Sequence, residues 1–499
     1  MKQVISVATM RHSDAETIRA GISGRELMYR AGQAIMEAYP WRGRTAIVCG
    51  SGNNAGDGYV LALLMRERGI SCTLVRLTDK LSADGAYYYE KCVQQGIESC
   101  RFTSDFDFSP YEEIADCMLG TGFSGTVEGI YAEAIELINA SGKTVISVDI
   151  NSGLNGDNGL GECAVRSDLT LSIGYYQFGH FLGTAKDRMK EKKNLDIGID
   201  LYGRCAELAE ASDLTSLLER RAQVSHKGNY GYVALLGGCR EYAGAAKLAN
   251  MSCAALRSGC GVVTLAVPNS IADSVSPYLL ESTLCPMPDE NGHILPNFDA
   301  IDRLLANRRA LAIGMGWGRS AHNAKILEHI LTNHALSVVI DADGLNTLAE
   351  MDREILETTK CQVLLTPHLK EFSRLCGKEM AEILTDPVGA AEEYAKMTGV
   401  CLLLKGACTV VTDGEKTLLV DRGCAGMATA GSGDVLSGVL AGLLGYLPLT
   451  TQTAACGAYL AGLAGELAER ELNDIGMLAS DTVRHLPQAI NIIRNGDPK

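Results

Sequence analysis

The stretch Thr45–Leu77, TAIVCGSGNNAGDGYVLALLMRERGISCTLVRL, decides the fold class of this chain. It contains a β-rich run (TAIVCG), a glycine-rich loop, an amphipathic stretch with helical spacing (DGYVLALLMRERG) and a second β-rich run (SCTLVRL). Strand, helix and strand in this order indicate a βαβ unit, and such units build parallel sheets. The sequence therefore predicts an α/β protein.

The same alternation continues on both sides of this stretch. A leading helix (MYRAGQAIMEAY) precedes it, and two Ala/Gly-rich helices are expected after Met427. The other expected strands before residue 200 are ADCMLG (Ala115–Gly120), TVISVDI (Thr144–Ile150) and LTLSIG (Leu169–Gly174). The strands expected after residue 230 are GYVALLGG, VVTLAVP, ALAIGMGWG, LSVVIDADG, CQVLLTP, VCLLLKG and CTVVTDG.

Between about Tyr202 and Gln223 the alternation stops. The segment YGRCAELAEASDLTSLLERRAQ is rich in Ala, Glu and Leu and contains no β-rich run. We therefore expect two tandem α/β domains, at residues 1–213 and 221–496, with no strand between them. The two halves share a fold class but no detectable repeat.

Composition and charge exclude several classes of protein. The 499 residues include 45 Lys and Arg against 60 Asp and Glu, a formal charge of −15, which argues against nucleic acid as the main partner. The 17 Cys are scattered through apolar segments without a C-x-x-C pair, as expected of buried thiols in the cytoplasm. The most apolar tract, Val435–Leu447, is shorter than the ~20 residues that span a bilayer, so no membrane association is expected.

The loop Gly50–Ala55 fits the pattern G-x-G-x-x-A of dinucleotide-binding sites. A dehydrogenase would also carry an acidic residue at the end of the next strand, but SCTLVRL ends without one and Asp79 comes later. Asp57 in the first helical turn either only favours the helix dipole or belongs to a site where a cation separates it from a phosphate.

Acidic residues also mark the ends of two further strands in this half. Asp116 begins DCMLGTGFSGT, and Asp149 ends TVISVDI directly before Asn151 and Ser152. The carboxyl ends of parallel strands meet in one crevice, where ligands bind. Oxygen ligands from Asn, Asp and Ser side chains make a site for a hard cation plausible there.

The second half contains three candidate ligand-binding segments. Ala430–Asp434 (AGSGD) opens an apolar helix, so backbone N–H groups and the helix dipole provide an anion site beside an acid, although a plain glycine-rich helix start is the alternative. Lys405–Thr409 (KGACT) could present Lys and Thr to a phosphate, but on its own it is typical of a hairpin turn. Thr366–Glu371 (TPHLKE) places His and Glu where a strand enters a helix, which favours a functional role.

The blocks of the first half, in this order, resemble the NAD(P)H-hydrate epimerase domain over about Met10–Ile199; its blocks read like GNNGGDG, DxxxGTG and VDxPSG. The resemblance implies a potassium ion held by Asn54, Asp116 and Ser152, with Asp149 as the proton acceptor. It implies substrate contacts from Asn53, Asn54, Ala55, Gly56, Asp57, Gly120, Thr121, Gly122, Phe123, Ser124, Gly125, Thr126, Tyr131 and Asp149.

This chain departs from the epimerase pattern at two positions. Ala55 replaces the usual Gly and is expected to add a methyl group near the phosphates. Asn151 replaces the usual Pro and is expected to loosen the loop that carries Ser152.

In the second half HKGNYG, the YAGAAKLA helix, AIGMGWG, TPHLKEF, KGACT and GMATAGSGD resemble, over about Arg221–Arg494, the ADP-dependent NAD(P)H-hydrate dehydratases of the ribokinase-like superfamily. The resemblance implies Asp434 as the catalytic base, with Gly316, His368 and Asp434 contacting the substrate. It implies nucleotide contacts from Lys405, Gly406, Ala407, Cys408, Thr409, Ala430, Gly431, Ser432 and Gly433.

As a whole the chain resembles the bifunctional NAD(P)H-hydrate repair enzymes. The family implies a Rossmann-like three-layer sandwich followed by a ribokinase-like domain. It also implies epimerisation of R and S hydrates of NADH and NADPH, then dehydration of the S form with ADP as co-substrate, giving AMP and phosphate. Potassium, magnesium and a homo-oligomer are expected. The alternatives are a ribokinase-like small-molecule kinase fused to a nucleotide-binding domain and a non-catalytic nucleotide sensor.

Overall fold

The computed structural model describes residues 1–254 and 257–496. The chain divides into two compact units. The first unit comprises Gln3–Ala206, and the second comprises Met1–Lys2 together with Glu207–Lys499. Both units are built from alternating strands and helices, so the expected α/β class is confirmed.

The first unit begins with two helices that precede its central βαβ unit. Its strands are β1 (Lys2–Ile5), β2 (Thr45–Cys49), β3 (Cys72–Arg76), β4 (Glu98–Arg101), β5 (Glu113–Cys117), β6 (Thr144–Val148), β7 (Ser167–Ile173), β8 (Tyr176–Gln177) and β9 (Met189–Leu195). Its helices are α1 (Val7–Arg19), α2 (Gly24–Ala38), α3 (Asn53–Glu67), α4 (Ala83–Gln94), α5 (Ile130–Ala140) and α6 (Ala185–Arg188).

Seven of these strands form one sheet in the order β4-β3-β2-β5-β6-β7-β9, and every pairing is parallel. Alternate residues of a strand point to opposite faces, so Ile47 packs with α2 and α3 while Ala46 packs with α5. Helices therefore cover both faces, as the predicted three-layer arrangement requires. Strand β5 ends at Cys117, which leaves 118–120 as loop at the carboxyl edge.

The second unit has more elements, and the last two of its described helices are the longest. Its strands are β10 (Ala206–Leu208), β11 (Tyr232–Leu236), β12 (Val262–Pro268), β13 (Thr283–Met287), β14 (Asp289–Glu290), β15 (His293–Ile294), β16 (Ala310–Ile313), β17 (Ser337–Ile340), β18 (Gln362–Leu365), β19 (Cys401–Leu404), β20 (Thr409–Thr412) and β21 (Thr417–Val420). Its helices are α7 (Ala211–Leu214), α8 (Ala243–Ala254), α9 (Asn269–Val275), α10 (Phe298–Leu305), α11 (Ala321–Asn333), α12 (Asp343–Ala349), α13 (Glu354–Glu357), α14 (Leu369–Cys376), α15 (Met380–Thr385), α16 (Pro387–Thr398), α17 (Ser432–Leu444), α18 (Thr451–Gly476) and α19 (Ala479–Asn495).

Strands β13-β12-β11-β16-β17-β18-β19 form a parallel sheet in that order. Strands β20 and β21 extend it with antiparallel pairings, so the segment 405–408 connects a hairpin. Helix α17 is apolar all round and buried, and it contacts β11, β16, β17 and α8. Its N-terminus therefore reaches the sheet near its middle.

The structure corrects the expected strand-free segment between the domains. Strand β10 lies within it and pairs in parallel with β21, so residues 207 and 208 hydrogen-bond to the second unit. The first unit ends at Ala206, before the expected boundary at 213. A three-residue strand inside an Ala/Glu-rich segment carries no periodic signal, because its partner is more than 200 residues away. We therefore propose residue 207 as the boundary.

The chain closes with three helices rather than the two expected. The third, α19, is amphipathic rather than Ala/Gly-rich, and its buried face joins the core formed by α17 and α18. Part of the helix expected after residue 243 falls on residues 255 and 256, which lie outside the described residues.

Two further expectations concern the burial of the cysteines and the presence of membrane-spanning helices. Ten of the 17 Cys are buried, six are half-buried and Cys205 is exposed. Within the described part of the chain, no helix is both long enough and apolar enough to cross a membrane.

Candidate active sites

A cavity of about 580 Å³ opens at the carboxyl edge of the first unit's sheet. The loops after β2, β5 and β6 form one side, and helices α1 and α2 form another. Of the residues predicted to contact substrate, eight line it: Asn53, Asn54, Asp57, Gly120, Thr121, Gly122, Phe123 and Asp149. Three strand ends separated in sequence therefore meet at one place, as parallel topology predicts.

Asp149 is held rigidly at the floor of this cavity. Its Oδ2 accepts hydrogen bonds from Thr121 N (2.7 Å) and Thr121 Oγ1 (3.1 Å). Its backbone has φ = 66°, which is strained for a residue with a side chain, and its carbonyl oxygen lies 2.7 Å from Nε2 of the buried His180. Gly120 is needed here, because a Cβ at that position would lie 2.5 Å from Asp149 Oδ2.

Burial keeps His180 neutral. It lowers the pKa of the imidazole to about 4, and Gln177 N donates to Nδ1. Nε2 therefore carries the hydrogen and donates to the Asp149 carbonyl. No sequence motif points to His180, because its role depends on a contact with a strand end 31 residues away.

Three of the carboxyl groups that line this cavity have no basic ion-pair partner among the described residues. Burial raises the pKa of Asp57 well above its ordinary value, and the charges of Asp149 and Asp14 raise it further. Burial likewise raises the pKa of Asp149, against the hydrogen bonds from Thr121. It raises the pKa of Asp14 to about 6, with a further contribution from Asp149. These carboxyl groups therefore keep their protons to a higher pH in the cavity than they would in water.

The proposed potassium ligands also meet. Asn54 Nδ2 donates to the carbonyl oxygens of Leu119 and Val148, both at 3.1 Å, and Ser152 Oγ lies 3.3 Å from the same Leu119 oxygen. Ser152 Oγ lies 2.5 Å from Asp116 Oδ1, and its backbone N–H donates to Asp116 Oδ2. These contacts bring Asn54, Asp116 and Ser152 together at one junction.

The donor set of this junction fits a cation. Asn54 Oδ1 is buried and has no hydrogen-bond partner among the described residues, while Asp116 is fully buried without an ion-pair partner in the same part of the chain. An unpaired carbonyl oxygen beside an uncompensated carboxylate is costly unless a positive charge joins them. The Asp116 oxygens already accept hydrogen bonds from Ser147, Ser152 and Met118, so the free acceptor is Asn54 Oδ1.

Both departures from the epimerase pattern act differently from what the sequence suggested. Ala55 is 1% exposed and packs in the apolar core, so its methyl group does not face the cavity. Asn151 is fully buried and donates to Val165 O, Arg188 O and Ser167 Oγ. Five hydrogen bonds in all, with those from Ser167 and Thr170, hold the loop of Ser152 in place, so the expectation that Asn151 loosens it is wrong.

The remaining predicted contacts of the first unit lie outside the cavity lining. Gly56 is buried against Met28, where a Cβ would lie 2.4 Å from Cε. The Tyr131 hydroxyl lies beside Gly50, at the start of the glycine-rich loop. The loop after Phe123 is exposed at Ser124, Gly125 and Thr126.

In the second unit, Lys405, Asp341 and Asp434 lie together at the carboxyl edge of the sheet. Lys405 Nζ lies 3.0 Å from Asp341 Oδ1 and 3.9 Å from Glu371 Oε2, and Ser437 Oγ donates to Asp341 Oδ2 at 2.7 Å. Burial alone would lower the pKa of Lys405, but the Asp341 and Glu371 carboxylates outweigh it and raise that pKa. Lys405 therefore stays charged.

Asp434 has the properties of a base. Burial and the Asp341 charge together raise its pKa to about 7, against the opposing effect of the Lys405 charge. It lies in the first turn of α17, whose cap residue Gly431 has φ = 97° and makes no side-chain cap. The first N–H groups of this helix therefore have no intrahelical acceptor and can bind an anion.

Two small residues keep this helix start accessible. A Cβ on Gly433 would lie 3.4 Å from Lys405 Nζ, so the ammonium group lies close to the first turn of this helix. Ser432 Oγ is buried and has no hydrogen-bond partner among the described residues. Ala430 is exposed beside them.

His368 and Glu371 form the cap of α14 next to Lys405. His368 Nδ1 accepts from the N–H groups of Lys370 and Glu371, and Glu371 Oε2 accepts from His368 N at 2.9 Å. The side chain of His368 is 51% exposed, and its Nε2 lies 3.5 Å from Glu371 Oε1. Lys405 N donates to Pro367 O at 2.8 Å, which fixes the two segments side by side.

The other predicted contacts in the second unit follow β16 or connect β19 to β20. Gly316 has φ = 57°, and a Cβ there would lie 2.6 Å from Tyr242 O, so this tight turn needs glycine. Gly406 and Ala407 are exposed, Cys408 is buried, and Thr409 opens β20.

Two acidic residues at the sites were missed by the sequence analysis. Asp341 follows β17 in VVIDADG, the same pattern of a buried strand ending in an acid that singled out Asp149. The signal was therefore available. Asp14 lies within α1 and has no local signal, because only the folded chain brings it to the cavity.

Two family models match the chain. A model described as NAD(P)H-hydrate dehydratase matches residues 233–488, and one described as YjeF-related protein N-terminus matches residues 24–179. The matched segments fall in the second and first units respectively.

Relatives of similar length match nearly the whole chain. The bifunctional NAD(P)H-hydrate repair enzyme of Moorella thermoacetica is 33% identical over 93% of this chain and 92% of its own length. The enzyme of the same name from Escherichia coli is 32% identical over 94% and 90%.

Among solved structures, the ADP/ATP-dependent NAD(P)H-hydrate dehydratase from Bacillus subtilis, co-crystallised with ATP and magnesium, has a TM-score of 0.51 and 28% identity over 58% of this chain and 99% of that one. A ribokinase-like superfamily protein from Enterococcus faecalis, 23% identical, has a TM-score of 0.52 over 59% of this chain and 98% of its own, which confirms the expected ribokinase-like fold. With two matched domains in this order and relatives above 30% identity over more than nine-tenths of its length, the chain belongs to the family of bifunctional NAD(P)H-hydrate repair enzymes.

Proposed function

We propose that the chain repairs NADH and NADPH that have been hydrated at ring carbon six of the nicotinamide. The first unit interconverts the R and S hydrates, and the second unit dehydrates the S form with a nucleotide as co-substrate. Family membership supports both activities. The observation that carries the proposal is the assembly of Asp434, Lys405 and an uncapped helix N-terminus in the second unit.

Dehydration requires a better leaving group than hydroxide, and transfer of a phosphoryl group from ADP supplies one. Asp434 removes the proton of the ring hydroxyl, whose oxygen attacks the terminal phosphoryl group, and the P–O bond to AMP breaks. The new phosphoester leaves the ring as phosphate, and loss of a proton from the neighbouring carbon restores the dihydronicotinamide.

The groups that would bind the phosphates surround Asp434. The N–H groups at the start of α17, in the segment Ala430–Gly433, are directed at the transferring phosphoryl group. The Lys405 ammonium offsets charge, and the segment from Gly406 to Thr409 borders the nucleotide. His368 and Gly316 contact the hydrated nicotinamide. Magnesium bound with the nucleotide would neutralise part of the phosphate charge.

In the first unit, Asp149 acts as the proton acceptor of epimerisation. Its fixed side chain and raised pKa suit a group that exchanges a proton with the ring hydroxyl or with water. Potassium, held by Asn54, Asp116 and Ser152, supplies the positive charge that a phosphate-bearing ligand needs beside these carboxylates.

The test is incubation of full-length protein with hydrated NADH, following recovery of dihydronicotinamide absorbance with ADP, with ATP and without nucleotide. We expect nucleotide-dependent recovery from both epimers, with AMP and phosphate formed in equal amounts when ADP is used. A small-molecule kinase would accumulate a stable phosphoester instead, and a nucleotide sensor would give no turnover. The cytoplasmic location and the homo-oligomer stay predictions.

A further inference from the structure

Asp14 is an acidic residue of the first cavity to which none of the sequence motifs points. It lies on α1, whereas Asp149 lies directly after β6, so the two carboxyl groups reach the same cavity of about 580 Å³ from a helix and from the sheet edge. Their charges influence each other, as the effect of Asp149 on Asp14 indicates. The cavity thus presents carboxyl groups from two different walls.

The carboxyl group of Asp14 also lacks the contacts that would give it a structural role in the described part of the chain. Among the described residues it has neither a hydrogen bond nor an ion pair, and the same holds for Asp57, which is only 9% exposed. A side chain that stabilised the fold at such a position would normally be paired, because an unpaired buried carboxylate is costly. A ligand that accepts or donates a proton would supply the missing partner.

We propose that Asp14 is a second acid–base group of the first unit, acting on the opposite face of the hydroxylated nicotinamide from Asp149. This inference rests on the proposed epimerase function and names the residues that perform it. If the carbon inverts by exchange of its hydroxyl group, the hydroxyl leaves from one face of the ring and water adds to the other. A single carboxyl group on one face cannot serve both.

The step balances with these two groups alone. Protonated Asp14 gives its proton to the ring hydroxyl, and the C–O bond breaks so that water leaves, while the ring nitrogen lone pair forms a C=N bond. Water on the opposite face then adds to this carbon and gives a proton to the Asp149 carboxylate. The product state has the two protonation states exchanged, which is the starting state of the reverse reaction.

Such an exchange works in both directions only if the two groups have similar proton affinities. Burial raises the pKa of Asp14 to about 6 and also raises that of Asp149, so both depart from ordinary carboxyl groups in the same direction. The other charged groups that line the cavity are Arg11, Asp57 and Asp84. Arg11 donates to Gly122 O at 3.3 Å rather than to a carboxylate.

The test uses full-length Asp14→Asn with the separated R hydrate, following its conversion to S chromatographically with potassium present. We expect kcat for epimerisation to fall by roughly 10²–10⁴-fold with KM within about threefold, because a positioned acid–base group contributes that much. Dehydration of the S hydrate should not change. The matched control is Glu16→Gln, on the same helix as Asp14, whose carboxylate is paired with Arg19 and does not line the cavity. It should retain wild-type rates within about threefold.

Two further measurements distinguish an acid–base role of Asp14 from a purely structural role. The pH profile of kcat/KM for epimerisation should lose the limb near pH 6 in Asp14→Asn, while Asp14→Glu should keep that limb and most of the rate. In water enriched in heavy oxygen, each epimerisation by the wild type should introduce one heavy oxygen atom at the ring carbon.

Asp14→Asn with a wild-type kcat, or with a change in KM alone, would overturn the assignment, and so would epimerisation without oxygen exchange. If Asp14→Asn does not fold, Asp14→Glu decides: folded but inactive, it overturns the proposal, and active with the pH limb intact, it supports it. A wild-type protein that does not interconvert the epimers would instead refute the proposed function.

Discussion

The two candidate active sites both lie at the carboxyl edge of a parallel sheet. They differ in whether a basic side chain compensates the charge of their acidic groups. In the first unit, Asp14, Asp57 and Asp149 share a cavity, and no basic side chain among the described residues contributes to their pKa values. In the second unit, a charged Lys405 lies 3.0 Å from Asp341 and 3.9 Å from Glu371.

This difference explains which chemistry each site suits. Without a lysine, the first cavity lowers its negative charge by holding protons, which favours proton exchange with a ligand. It then needs an added cation before it can accept phosphates. The second site carries a permanent positive charge beside an uncapped helix N-terminus, which favours binding and transfer of a phosphoryl group.

Removing the base of the second site should have the largest effect. We expect Asp434→Asn to lower kcat for dehydration of the S hydrate by roughly 10²–10⁴-fold, because a positioned general base contributes that much. Nucleotide affinity, measured by calorimetry, should stay close to wild type since the helix start is preserved. The epimerisation rate is the internal control. Dehydration within threefold of wild type would refute the role of Asp434.

The next largest effect should follow from loss of the cation site in the first unit. Asp116→Ala should abolish activation of epimerisation by potassium and raise the substrate KM by roughly 10–100-fold, as for loss of a metal ligand. Dehydration of the S hydrate should not change. Epimerisation that responds equally to potassium and to a bulky organic cation in the wild type would show that this junction holds no functional cation.

The protonation state of Asp434 should set the pH dependence of the second site. Its pKa is raised to about 7, and only its ionised form can accept a proton, so kcat/KM for dehydration should fall about tenfold per pH unit below that value and level off above it. Stopped-time assays with the S hydrate from about pH 5.5 to 8.5 would measure this. A flat profile over that range would exclude Asp434 as the titrating base.

The smallest expected effect concerns the stability of the first unit. Burial raises the pKa of Asp14 from 3.8 to about 6, so the folded state binds more protons between these values and the free energy of unfolding falls as the pH rises through that range. Asp14→Asn should therefore raise the free energy of unfolding by about 1–3 kcal/mol at neutral pH. Near pH 3.5 it should have little effect.

Thermal unfolding of the full-length variant at both pH values measures this change, with roughly 2–4 °C expected for each kcal/mol. Asp84→Asn, whose carboxylate is paired with Arg25 at the surface, is the control and should not stabilise the protein. A lower Tm for Asp14→Asn at neutral pH would show that the carboxylate stabilises the fold. The Asp14 carboxylate would then have a structural role rather than a role in proton transfer to a ligand.

The sequence alone determined the features that depend on neighbouring residues. The alternation of β-rich runs and amphipathic segments is local, so it predicted the α/β class and most strands, including β2, β6 and β11. The motifs around Asp57, Asp149 and Asp434 were also visible, because each is a strand end or helix start with its acid in the same segment. Parallel topology then required these ends to meet.

Only the tertiary structure decided which distant groups share an environment. Strand β10 forms because it hydrogen-bonds to β21, Asn151 holds its loop through partners up to 37 residues away, and Asp14 and Asp149 line the same cavity. These contacts join residues that are distant in the sequence, and no local sequence pattern predicts them. Burial and charge at a given carboxyl group depend on everything packed around it, so they arise only when the chain is folded.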